Sequence, residues 1–148
     1  MSTLTNILGH FHPALVHFPV ALLTVGAIFE AFSVLRGKEQ RSIIGRALLI
    51  FGFLGAGAAV LSGLSHFDAA AYRDRTLEVA LIHRVLGLTT LALATLTGLL
   101  GGFWKTPGPQ GGRLWIYRIL YATTAGGVGL TGHYGGWVVF GWGQIWTF

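Results

Sequence analysis

Six histidines, His10, His12, His17, His66, His83 and His133, are the residues of this chain best suited to chemistry, and no cysteine accompanies them. A neutral imidazole offers one nitrogen lone pair to iron, copper or zinc while its other N–H is held by a neighbouring acceptor. Thiolate metal sites, iron–sulfur clusters, disulfides and covalently attached c-type haem all need sulfur and are excluded within the chain. His17, His66, His83 and His133 each fall near an end of a different apolar segment. Ionisable groups facing the interior of a membrane bundle are costly and mark functional sites by default. These four are therefore the candidate ligands of a haem b, with His17, His83 and His133 as the alternative ligands of copper or zinc. Arg84, next to His83, is placed to meet a haem propionate. His10 and His12 read as interfacial anchors, His12 also as a helix cap, or as feeders at the mouth of a metal site.

The elements that must position these rings are membrane helices. Apolar residues make up 53% of the 148 and charged residues only 10%, against about a quarter charged in a soluble domain. The mean hydropathy is +0.65. Four spans follow, over about 13–35, 43–64, 79–103 and 114–133 or longer, each with the roughly 20 residues that a hydrocarbon core requires. Pro13 suits a first helical turn. Polar or Pro/Gly-rich connections run from Arg36 to Arg41, from Phe67 to Thr76 and from Lys105 to Gly112. A single all-α domain is expected, an up-down four-helix bundle. The tail from Gly135 to Phe148 either extends the fourth helix or lies along the interface.

Arg36, Lys38, Arg41, Arg46, Lys105, Arg113 and Arg118 flank the first and third connections, whereas only Arg73, Arg75 and Arg84 flank the second. The positive-inside rule then puts both termini, and all six histidines, on the outer (periplasmic) side of the inner membrane. The net charge of +5 is spent on that orientation, so nucleic acid is not an expected partner. The opening residues MSTLTNILGHFH carry no Lys or Arg, unlike a cleavable signal peptide.

Helical spacing gives each histidine a stripe of small residues: Ala14, Ala21, Thr24, Ile28 and Ala31 with His17; Ser62, Ala59, Gly55 and Gly52 with His66; Gly87, Thr90, Ala94, Thr97 and Gly101 with His83; Gly129, Gly126, Ala122 and Arg118 with His133. Small stripes are where membrane helices approach one another, so all four imidazoles are expected to face protein. Close packing alone would also account for such stripes. Helices one and three lie diagonally in an up-down ring, and a diagonal pair of histidines can hold a flat macrocycle. Pro19 cannot bond the Leu15 carbonyl, which is then available to orient His17. Glu30, the one carboxylate well inside a span, is expected to pair with Arg46 or Arg118.

The run His12-Pro-Ala-Leu-Val-His-Phe-Pro-Val-Ala-Leu and the run Thr131-Gly-His-Tyr-Gly-Gly-Trp-Val-Val-Phe-Gly resemble the opening and closing signatures of the bacterial "domain of unknown function 2231" family. Gly63-Leu-Ser-His-Phe-Asp and Ile82-His-Arg resemble its middle motifs more loosely. The resemblance covers nearly the whole chain and implies a small four-helix membrane protein, with His12, His17, His83 and His133 as the motif histidines. It also implies a place beside electron transfer, with a c-type cytochrome or Rieske-like partner. Tyr134 and Trp137 stand where relatives often have aliphatic residues.

Three functions follow: a b-type haem protein passing electrons at the outer leaflet, with quinone as a candidate partner; an accessory subunit of a larger redox or photosynthetic membrane complex; and a copper or zinc site. A two-haem wire across the membrane would need histidines near the cytoplasmic face, and the sequence offers none there. Phosphate loops, dinucleotide fingerprints and nucleophile elbows do not occur. Solute transport lacks an unwound, charge-lined path at the midplane.

Overall fold

In hydrocarbon a chain must satisfy its own backbone polar groups, and long apolar segments do so as helices. The computed structural model describes residues 3–67, 75–103 and 108–140, with side chains from Phe11 onward other than those of His66 and Arg75. It contains α1 (Thr3–Leu35), α2 (Ile43–His66), α3 (Arg75–Thr97) and α4 (Gly111–Phe140), with a π-helical turn, Gly98–Gly102, extending α3. The described residues hold no strand. Three stretches, Phe11–Leu35, Ile43–Ser65 and Thr76–Gly102, are long and apolar enough to cross a membrane. At 30 residues α4 has the length, but its glycines, threonines and tyrosines dilute its apolarity.

Each helix packs on its two neighbours in a ring, with α4 closing on α1. The directions alternate. His12, early in α1, meets Ser62, late in α2, while Thr97, late in α3, meets Thr124 in α4 and Thr90, earlier in α3, meets Thr131, later in α4. This is the expected up-down bundle, with the start of α1 and the end of α4 at one common end. Two boundaries differ from the sequence reading. Helix α1 begins at Thr3 and runs through Pro13 and Pro19, because a proline costs one hydrogen bond but does not stop a helix whose neighbours hold it. Helix α4 continues to Phe140, so the tail extends the helix at least that far; residues 141–148 and most of the 67–76 connection lie outside the described residues.

The bundle is apolar outward and compact inward. Leu23, Leu49, Tyr117 and Tyr121 are fully buried, whereas Phe18 and Phe51 are 61% and 62% exposed, the pattern of a bundle whose solvent is lipid.

The basic end is closed by charge. Helix α1 stops at Gly37, at φ 64°, where Gly37 N donates to Val34 O (2.8 Å) and Lys38 N to Ser33 O (3.0 Å), a Schellman cap. Ser42 caps α2 by accepting from Gly45 N at 3.0 Å. Between these caps Glu30, 3% exposed, accepts from Arg118 Nε at 3.0 Å and from Ser42 N at 2.7 Å. Arg118 Nη2 also donates to Lys38 O and Gln40 O. Of the two partners expected for Glu30, Arg118 is the one the fold supplies. Arg46 instead donates to Gly102 O at 2.8 Å, and Arg41 bonds Gly101 O, so both arginines satisfy carbonyls released where the π turn ends α3. Burial, and then the nearby Arg46, hold the Arg41 guanidinium below its ordinary pKa.

Candidate functional site

Helix α1 buries Pro19, Leu23, Gly26, Glu30 and Ser33, a stripe stepping by three and four. Carried back seven residues from Pro19, the same stripe reaches His12. Its ring turns into the bundle, and Nδ1 lies 2.9 Å from Ser62 Oγ on α2. The Ser62 hydroxyl proton goes to Ala59 O at 2.9 Å, so Ser62 accepts and His12 Nδ1 is the donor. Across the ring, His83 Nδ1 lies 2.8 Å from Thr131 O on α4. A carbonyl only accepts, so this Nδ1 also carries the proton. In the neutral tautomer both lone pairs are therefore on Nε2, as a metal-binding imidazole requires.

The two rings come together. Their centroids are 6.4 Å apart with planes at 77°, and they stem from the diagonal helices α1 and α3. Close backbone approach on the other two helices makes room for them. A Cβ on Gly63 would lie 2.9 Å from His12 Cε1, and one on Gly135 would lie 2.9 Å from His83 Cε1. Thr90 and Thr131 hydroxyls, 3.1 Å apart, join α3 to α4 just below.

The four histidines expected to face inward do not all do so. His83 does, on its stripe of Thr90, Ala94, Thr97 and Gly101, all buried. His17 is exposed, as are Ala14, Ala21, Thr24, Ile28 and Ala31. Its Nδ1 donates to Pro13 O at 2.6 Å, rather than being oriented by the Leu15 carbonyl. The physical reason is register: the face of α1 that packs is marked by Leu23 and Glu30, and the small side chains of the His17 stripe are turned to lipid. The α4 stripe fails similarly, since Ala122, Gly126 and Gly129 are exposed while Leu114, Tyr117, Tyr121, Thr124 and Val128 are buried. His133 stays half-buried on its own helix, its ring 4.4 Å from that of Trp137 and 6.1 Å from that of Tyr134. In α2 the expected stripe holds, with Ser62, Ala59 and Gly52 buried. His66 ends that helix, and its side chain and that of His10 lie outside the described residues. Arg84 is exposed, its guanidinium 4.9 Å from the Phe67 ring centroid. Among the described residues no group of three or more His, Cys, Asp or Glu side chains could share a metal ion.

His12, read from the sequence as an anchor, a cap or a feeder at the mouth of a metal site, and named among the motif histidines, turns into the bundle. The signal was available: the spacing from His12 through Pro19, Leu23, Gly26 and Glu30 to Ser33 is an unbroken helical stripe. It is visible only once α1 is allowed to start before Pro13.

Residues 10–144 match the family described as "predicted membrane protein (DUF2231)", a stretch that includes both paired histidines. No curated protein and no solved structure matches the chain.

Proposed function

This chain belongs to the DUF2231 family of predicted membrane proteins, and within that frame we propose that it carries electrons on one b-type haem held between His12 and His83. The observation that carries this reading is the pair itself. The two rings, from diagonal helices, lie with their centroids 6.4 Å apart. Both rings have Nδ1 tied to an acceptor and Nε2 as the lone-pair nitrogen. Two imidazoles would be a sufficient protein ligand set for a haem, so His12 and His83 would be the residues that hold it. Zinc and copper sites draw three or more protein ligands, and the pair has no third carboxylate or imidazole beside it among the described residues. Haem is preferred to a bare ion because this pair alone would serve it as protein ligands.

When bound, the haem supplies a one-electron couple. The chain's own part is to hold the two nitrogens across the bundle, keep their tautomer and exclude water with a lipid-facing apolar surface. Arg84, at the same end as His83, would meet a propionate in exchange for its contact with Phe67. The positive-inside count puts this end at the periplasmic face of the inner membrane, where quinone or a c-type cytochrome or Rieske-type protein would exchange electrons with it.

The test is a visible spectrum of protein purified from haem-replete cells. A reduced-minus-oxidised Soret and α band is expected, lost in His12→Ala and in His83→Ala. Colourless protein carrying a stoichiometric metal ion by elemental analysis would replace haem by copper or zinc. Colourless, metal-free protein that co-purifies with a larger complex would make it an accessory subunit.

A further inference from the structure

The two imidazoles are held by different kinds of acceptor. His83 donates to a main-chain carbonyl, Thr131 O, which no side-chain substitution removes. His12 donates to a side-chain hydroxyl, Ser62 Oγ. Ser62 is 1% exposed and passes its own proton to Ala59 O. A hydroxyl that donates onward is polarised and becomes the stronger acceptor, the more so away from water. We propose that Ser62 is a positioning residue that acts through His12: it fixes which nitrogen faces the bound metal and sets how strongly that nitrogen donates. The proposal rests on His12 and His83 being the axial ligands. An imidazole whose N–H is drawn toward an acceptor is a more basic ligand. A more basic ligand nitrogen would favour the ferric over the ferrous state of a haem held there, so Ser62 would hold its reduction midpoint down.

The test is a redox titration of purified wild type, Ser62→Ala, Ser62→Thr and Ser65→Ala, each followed through its α band. Ser65 is a neighbour on α2 whose hydroxyl bonds Ser62 O at 2.8 Å. Ser62→Ala is expected to keep the two-histidine spectrum and move the midpoint upward. Ser62→Thr, which restores the hydroxyl, is expected to return it toward the wild-type value. Ser65→Ala is expected to leave it in place. A coloured Ser62→Ala protein with an unmoved midpoint, or an equal shift in Ser65→Ala, would overturn the role of Ser62 while leaving the haem reading intact. A colourless wild type would remove both together.

Discussion

His12 and Glu30 stand on the same stripe of α1, about 27 Å apart along the axis at 1.5 Å per residue, and the two ends they mark bury polarity in opposite ways. Around Glu30 the groups are ionised, and the pair is tied down: the carboxylate accepts from Arg118 and from Ser42 N, and Arg118 also reaches Lys38 O and Gln40 O. Around His12 the hydrogen-bond partners are uncharged, a serine hydroxyl for His12 Nδ1 and a main-chain carbonyl for His83 Nδ1. Burying charge is tolerable only where it is fully paired and hydrogen-bonded, so the basic end reads as a clamp. Neutral imidazoles cost less to bury and keep a lone pair for ligand chemistry. Between the ends, the Thr90 hydroxyl donates to Thr131 Oγ1, whose own proton goes to Gly127 O, while Thr97 and Thr124 give their protons to Leu93 O and Leu120 O of their own helices and only touch each other. These rungs join α3 to α4 without linking the ends, so substitutions at the two ends should act independently.

The largest effect is expected at the clamp. Glu30→Ala leaves Arg118 buried and unpaired, and breaking such a pair costs about 3–5 kcal/mol; thermal unfolding in detergent would measure it. Replacing both partners by apolar residues, Glu30→Leu with Arg118→Met, should recover a large part of that loss. Any haem spectrum of the folded Glu30→Ala protein should be unchanged. A spectrum altered in step with stability would mean the two ends are coupled after all.

At the histidine end the sharper probe is steric. Gly63→Ala puts a methyl 2.9 Å from His12 Cε1, against a ring whose Nδ1 is already bonded to Ser62. Overpacking of this kind costs about 1–3 kcal/mol, and it should shift the His12 ring and weaken ligand binding. Absorbance retained per mole of protein would report it. The tyrosines of α4 give a smaller contrast of opposite sign. Tyr121 donates to Gly45 O at 2.8 Å, so Tyr121→Phe should lose about 0.5–1.5 kcal/mol. The Tyr117 hydroxyl is buried and has no hydrogen-bond partner among the described residues, so Tyr117→Phe should be neutral or stabilising. Both are read from the same melting curves; equal losses would show that Tyr117 finds an acceptor in the membrane.

The helices and their alternation were legible because lipid imposes a length and an apolarity that composition reveals directly. The partner of Glu30 was legible because a carboxylate inside a span has few ways to be neutralised. The packing faces were read correctly in α2, through Ser62, Ala59 and Gly52, and in α3, through Thr90, Ala94 and Thr97, where the histidine or serine end of the stripe also packs. They were ambiguous in α1 and α4, where alanine and glycine occur on more than one face. There the buried face is chosen by what fits a partner, such as Tyr121 reaching Gly45 O or Leu23 lying against Gly52. Pairwise fit of that kind leaves no periodic trace in a single sequence. The exchange of His12 for His17 followed from the same ambiguity, compounded by taking Pro13 as a helix start.

His17 is where the smallest effect and the clearest discrimination coincide. Five residues beyond His12 is a turn and about two-fifths of α1, which carries His17 onto the exposed face, and among the described residues its hydrogen bond is local, to Pro13 O. An exposed side chain with only a bond to its own helix contributes little, within about 0.5 kcal/mol. His17→Ala should therefore melt with the wild type and keep its spectrum, while His12→Ala loses the spectrum. The two residues belong to the same short run of sequence and differ only in the face they occupy. If His17→Ala were the variant that lost the spectrum, the pairing across the diagonal would have to be rebuilt around the other face of α1, and the closed stripe from His12 to Glu30 would be packing alone.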